Sequence, residues 1–374
     1  MRRFFNALYR WRLQALCFHL FTAMLGDTLA ASLDDWNRLK VNQPKGYLAG
    51  RIASPIKVDG KLDDPAWASA PWTDEFVDIE GDLKPKPRFK TRAKMVWDDV
   101  FFYIAADMEE PHVWGTLIDH DSVIFQDNDF EVFIDPDGDS HNYYEFELNA
   151  LNTTWDLLLE KPYKNGGHAL NSFELRGLKS AVHIDGTLNN SKDTDRGWSL
   201  EIAIPWKALK QKTSVQCPPQ NGDLWRVSFS RVEWRHEIVS GKYRKVAGTK
   251  EDNWVWSPQG IVDMHRPERW GQVRFVRKPP GEGVFHPDPS LAVRDALQEV
   301  YYRQRTFHNN HKRYTDSLDE LGLTGFSWFG IQGQPEIVLR GKGFTAKILR
   351  GLPNHEIESW FIAQDAKVWA EKSK

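Results

Sequence analysis

The chain has 374 residues, and its 49 Lys and Arg against 52 Asp and Glu give a formal net charge of −3. That length admits two domains, and that balance excludes the basic face a nucleic-acid binder needs. Seventeen tryptophans are a surplus of large rigid rings with a polar handle, suited both to a core and to stacking on flat ligands or sugar rings. Arg2, Arg3, Arg10 and Arg12 precede an apolar run over 13–25 and the small-residue stretch Thr28-Leu29-Ala30. This is the pattern of a signal peptide over 1–30 and predicts export to the periplasm or beyond. The run is short for a membrane span. Cleavage after Ala30 leaves one cysteine, Cys217, so no internal disulfide can form.

Residues 31–50 read as a lead-in carrying little information. A short strand over 56–60 runs into a turn, and Asp63-Asp64-Pro65-Ala66-Trp67 has the form of an Asx-Pro helical turn that drops Trp67 onto the core. Residues 91–97 alternate, Asp98-Asp99 makes a tight turn, and 100–105 returns as the second arm of a hairpin. Further short strands are expected over 143–148, 154–159, 182–184, 198–204 and 224–233, separated by Gly, Asn, Asp and Pro. Many short strands without long helices between them predict a mainly β fold, a two-sheet antiparallel β-sandwich of jelly-roll type over 51–277. A Pro/Gly-rich linker spans 278–290. Residues 291–374 form a small C-terminal α+β unit, with an amphipathic helix over 291–311 and strands over 335–339, 344–349 and 357–363.

The most informative stretch is 125–140, FQDNDFEVFIDPDGDS. Phe130, Val132 and Ile134 point to one side of a strand, and Asp129, Glu131, Phe133 and Asp135 to the other. Asp135-Pro136-Asp137-Gly138 ends it as a turn. Carboxylates crowd both ends. They are either solvated turn residues or a hard-cation or polyol-recognition edge. Neither the glycine position nor the twelfth residue fits an EF-hand.

Five segments in order carry a family resemblance. They are Val58-Asp59-Gly60-Lys61-Leu62-Asp63-Asp64-Pro65-Ala66-Trp67, Trp97-Asp98-Asp99 before Phe102-Tyr103-Ile104, Asp127-Asn128-Asp129-Phe130-Glu131-Val132-Phe133-Ile134-Asp135, Gly197-Trp198-Ser199-Leu200-Glu201-Ile202-Ala203-Ile204-Pro205-Trp206, and Trp270-Gly271. Together they resemble the family 9 carbohydrate-binding modules and their DOMON-like relatives over 50–277. The resemblance implies a sugar-binding β-sandwich, non-catalytic, accessory to polysaccharide-degrading hydrolases, often with a structural Ca²⁺. In the sugar-binding members two Trp sandwich a terminal sugar. Here Phe125 stands at the first position and Met264 or His265 near the second. The C-terminal piece is similar to the globular part of a type IV pilin.

The candidate ligand set is Phe125, Gln126, Asp127, Arg231, Trp254, Trp256, His265 and Arg266: rings to cover a sugar face, with polar groups to satisfy its hydroxyls. Asp107, Asp127 and Asp129 are the candidate Ca²⁺ ligands. Two alternatives use other residues. A glycoside hydrolase would pair carboxylates from Glu131, Glu145, Glu147, Glu201 and Glu233, which on sandwich strands are more usually solvated outer-face positions or partners of Arg. A haem domain would draw on Met108, Met264, His112 and His265, although no CxxCH occurs.

Overall fold

The computed structural model describes residues 31–328, 331–353 and 356–372; the signal-peptide stretch lies outside them. Helix α1 (Leu33–Leu39) comes first, followed by strand β1 (Gly46–Arg51), helix α2 (Pro65–Ser69) and strands β2 (Val77–Asp78), β3 (Thr91–Trp97), β4 (Phe101–Glu109), β5 (Asp129–Asp135), β6 (Tyr143–Asn149), β7 (Thr154–Leu159), β8 (Ala169–Leu170), β9 (Lys179–Asp185) and β10 (Gly197–Pro205). Helix α3 (Trp206–Leu209) leads to β11 (Leu224–Glu233), β12 (His236–Val239), β13 (Lys242–Lys245), β14 (Asp252–Val255) and β15 (Gly271–Val276). Helix α4 (Leu291–His311) and strands β16 (Ile331–Arg340), β17 (Gly343–Gly351), β18 (Ile357–Ala363) and β19 (Val368–Lys372) complete the chain.

Hydrogen bonding runs without a break through β8-β7-β6-β5-β11-β15-β1-β3-β4-β10-β9, with β14 and β2 added beside β11. The sheet curls so that the inner faces of its two halves meet. Phe130, Val132 and Ile134 of β5, Phe146 and Leu148 of β6, and Val227 and Phe229 of β11 share one core with Met95 and Trp97 of β3, Ile104 and Ala106 of β4, and Leu200, Ile202 and Ile204 of β10. This is the mainly β sandwich expected from the strand pattern, with two differences. Its layers are joined by β1, which lies parallel to both β15 and β3. The residues read as a lead-in therefore supply the strand that joins the halves, with Tyr47 and Ala49 in the core.

The recurring sequence segments are structural joints. The Glu201 carboxylate on β10 accepts from Asp59 N at 2.7 Å, Gly60 N at 2.8 Å and Trp67 Nε1 at 2.7 Å, pinning the first segment to the fourth. Asp64 caps α2 by accepting from Ala66 N. Asp98 Oδ1 accepts from Val100 N and Phe101 N and so fixes the β3–β4 turn. Gly271 is required because a Cβ there would enter the Trp256 ring at 2.3 Å.

The two ends of the described chain build a second core. Helix α4 packs on the β16-β17-β18-β19 sheet, and α1 packs beside it, with Trp36 stacked on Tyr302 at 5.5 Å. Trp36 Nε1 donates to Glu299 at 2.6 Å. The C-terminal unit is tied to the sandwich by buried polar contacts. Lys164 pairs with Glu268, and both reach Tyr302; Arg266 Nη1 also donates to the Tyr302 hydroxyl, at 3.0 Å. Arg294 Nη1 donates to Gly138 O at 2.7 Å, and Val368 N to Asp139 O at 3.1 Å. Residues 281–284 of the linker are exposed.

Candidate functional site

The outward faces of β5, β6 and β11 are not solvated. The turn around Ile124 and Phe125, together with Tyr163, Val255, Met264 and Trp270, covers them and forms a separate apolar cluster with Phe133, Tyr143, Trp155 and Leu157. Glu131, Glu145 and Glu147, read from sequence as solvated outer-face positions, are buried beneath this cover, as are Glu201 and Glu233 elsewhere. Alternation assigns a residue to a face but carries no information on what lies over that face.

Phe125 is half-buried. Its ring is tilted by 30° against Trp155 at 6.4 Å. The peptide around it is held at both ends: Phe125 N donates to Glu147 Oε2 at 3.0 Å, and its carbonyl accepts from Trp234 Nε1 at 2.9 Å. Gln126 is exposed and accepts from Lys245 Nζ at 3.2 Å, while that ammonium lies 3.5 Å from the Trp234 ring centroid. Trp155 is only 7% exposed and backs the Phe125 ring, so Phe125 is the partly open face of this shelf, with an amide and an ammonium at its rim.

Beneath the shelf lie four carboxylates. Asp129, Glu131 and Glu147 place oxygens within 4.8 Å of one another. Glu145 follows next along β6, on the same face as Glu147. Asp129 accepts from Val232 N at 3.3 Å and Glu147 from Phe125 N. Asp129 Oδ2, Glu131 Oε2 and Glu145 Oε2 have no hydrogen-bond partner among the described residues. Loss of water and mutual repulsion push the carboxyls of Asp129, Glu145 and Glu147 well above their ordinary range, and burial pushes that of Glu131 to about 7.

The structure brings only part of the predicted ligand set together. Asp127, next to the shelf, is consumed by the fold: its carboxylate accepts from Thr116 N at 2.7 Å, Leu117 N at 2.9 Å and Asn149 Nδ2 at 3.0 Å. Arg231, Trp254 and Trp256 lie on the opposite, inner face. Arg231 pairs with Glu110 and Glu233 and stacks on Trp254 at 5.2 Å, while Trp256 packs on Phe229. All three are at most 2% exposed, so they are core and cannot meet a ligand. His265 lies under the same cover as Phe133 and Tyr163, with burial lowering its pKa to about 4, and its Nδ1 is 3.0 Å from the Tyr143 hydroxyl. Arg266 serves the C-terminal unit through Asp263 and Tyr302. Asp107 pairs with Arg92, and Asp127 is spent, so the Asp107, Asp127 and Asp129 set does not assemble; Asp129 instead clusters with Glu131 and Glu147. Met108, a candidate haem ligand, is in the sandwich core, on the other face of the sheet from Met264. Trp155, Trp234, Lys245 and Tyr163 were not singled out by sequence, because nothing local distinguishes them from core or loop residues.

Residues 58–221 match the model of the family described as carbohydrate family 9 binding domain-like. This stretch is therefore similar to the family 9 carbohydrate-binding modules. Among curated relatives, an exoglucanase XynX of Acetivibrio thermocellus is 27% identical over 169 residues, 45% of this chain and 13% of the relative. An endo-1,4-beta-xylanase A of Thermoanaerobacterium saccharolyticum is 26% identical over 177 residues, 47% of this chain and 12% of the relative. The chain thus spans about an eighth of the length of these relatives. A family 9 module from Caldicellulosiruptor kristjanssonii, solved in complex with cellotriose, aligns with a TM-score of 0.41 at 16% identity, covering 66% of this chain and all of that one. The module's matched region contains the shelf residues Phe125, Gln126 and Trp155 and all four buried carboxylates.

Proposed function

We propose that this chain binds a glycan, without cleaving it, through the family 9-like module, with the Phe125 ring, backed by Trp155, as the stacking surface. The family match over 58–221 carries the reading. The chemistry of the shelf supports it. A sugar ring offers an apolar face edged by hydroxyls; Phe125 can cover the face, and Gln126 and Lys245 at the rim can bond the edge. The curated relatives are named as an exoglucanase and an endo-1,4-beta-xylanase, so oligosaccharides of β-glucan and xylan are the first ligands to try. On this reading the protein works outside the cytoplasm beside polysaccharide-degrading enzymes.

The test is an array of cello- and xylo-oligosaccharides probed with the whole protein, run beside a reducing-sugar assay on the same ligands. Retention on one oligosaccharide class without release of reducing ends is the expected result. Release of reducing ends would make the chain a hydrolase, and an array without retention on any sugar would remove the glycan reading.

A further inference from the structure

We propose that two copies of this chain associate through strand β9, pairing it antiparallel with itself about a two-fold axis so that the curled sheet continues from one copy into the next. Strand β9 closes one end of the hydrogen-bonded path and pairs on one side only, with β10, over seven residues in unbroken register. Beyond that ladder and Arg196 N, which donates to Asp185 O at 2.9 Å, one hydrogen bond reaches its backbone among the described residues, from Asn152 Nδ2 to Ser180 O at 3.2 Å. The N–H and C=O groups that alternate along its outer edge are therefore free to template a further strand. The other sheet edges are short or blunted. Strands β2 and β8 have two residues each, and β12 and β13 four each. Strand β16 carries Pro335 and loses register between Gln332 and Glu336, and β19 is tied to the sandwich by the bond from Val368 N to Asp139 O. Strand β9, KSAVHID, has no Pro, Gly or bulge.

The sequence of β9 selects a second copy as the partner. With Val182 on the two-fold axis, Lys179 lies opposite Asp185 of the second copy, and Asp185 opposite Lys179 of the second copy. Between them Ser180 faces Ile184, Ala181 faces His183, and Val182 faces Val182. Opposite charges thus meet at both ends and β-branched side chains at the centre, the pairs that stabilise neighbouring strands. A slip by two residues would shorten the pairing and set His183 against Lys179 or against itself. A slip by one would turn one strand's faces over. Both terminal charges are available, since Lys179 and Asp185 are exposed. Asp185 pairs with Arg196, whose side chain is 83% exposed, and the Lys179 ammonium lies 5.1 Å from the Phe101 ring centroid. Such surface contacts are weak and are exchanged at small cost. This inference does not depend on the glycan reading.

The test is sedimentation velocity of the whole protein from micromolar to millimolar concentration. A reversible monomer–dimer equilibrium is expected. Lys179→Asp sets negative charges against each other at both ends of the pairing, and Asp185→Lys sets positive ones. Each variant, shown by circular dichroism to be folded, should dimerise more weakly by on the order of tenfold. An equimolar mixture of the two variants brings opposite charges together again at both ends, and it should dimerise as the wild type does. A monomer at every concentration would overturn the proposal. So would a dimer that both variants leave intact, or a mixture of the two that stays monomeric where the wild type pairs.

Discussion

The joint between the sandwich and the C-terminal unit should come apart in acid through one residue. Glu268 is buried and faces Lys164, Arg266 and the Tyr302 hydroxyl. Burial alone would push its carboxyl up, but the charges of Lys164 and Arg266, with hydrogen bonds from Lys164 and Tyr302, hold it at about 2. Lys164 is lowered by burial to about 8 and is still charged at pH 7. A carboxyl depressed in the folded state stabilises it fully above the unfolded pKa of 4.5 and loses that contribution as pH falls towards 2. The difference of about 2.5 pH units corresponds to about 3 kcal/mol at 1.36 kcal/mol per unit. Other carboxylates also titrate in this range, so the variant Glu268→Gln is the reference. It leaves Lys164 buried without its partner and should cost about 3–5 kcal/mol at pH 7. Denaturant unfolding of both proteins at pH 7, 4 and 2.5 should show the wild-type advantage shrinking by about 3 kcal/mol towards the acid end. An advantage that is the same at pH 7 and 2.5 would refute the assignment of charge to this pair.

Further outcomes follow from other joints. Glu201→Gln replaces a carboxylate that accepts three hydrogen bonds with an amide that must turn its NH₂ towards a donor; unfolding should show a loss of about 2 kcal/mol, and a loss below about 0.5 kcal/mol would contradict the pinning role. Phe125→Ala removes a half-buried ring while its backbone stays bonded to Glu147 and Trp234, so stability should fall by about 1–2 kcal/mol, less than the 3–5 kcal/mol of a full core deletion. Limited proteolysis should nick the exposed residues 281–284, but the two fragments should co-elute in size-exclusion chromatography because Lys164, Arg266 and Arg294 bridge them. Separation of the fragments without denaturant would show that these contacts do not hold.

Much of the architecture was legible because the sandwich strands alternate. The two-sided split of Phe130, Val132 and Ile134 from Asp129, Glu131 and Phe133 is the split between the sandwich core and the cluster beneath the shelf. Alternation also made Trp254 and Trp256 point the same way, but only the pairing of β14 with β11 fixes that direction as inward. Strand β1, GYLAGR, gave no signal: two glycines and an alanine hide both its period and its parallel pairing. The burial of Glu131, Glu145 and Glu147 depends on cover from segments more than a hundred residues away, such as Val255, Met264 and Trp270, and no local pattern encodes that. The C-terminal helix and three of its strands were legible from their amphipathic spacing, whereas the partnership of Trp36 with Tyr302 joins residues too far apart in sequence for any motif to reveal.

The most direct test of the account is calorimetric titration of the whole protein and its Phe125→Ala variant with the oligosaccharide best retained on the array. Loss of a stacked ring should weaken binding by about 1–3 kcal/mol, on the order of tenfold to a hundredfold in Kd. The variant should show that loss while remaining folded by circular dichroism. Wild-type affinity in the folded variant would contradict the account and remove the ligand from this shelf.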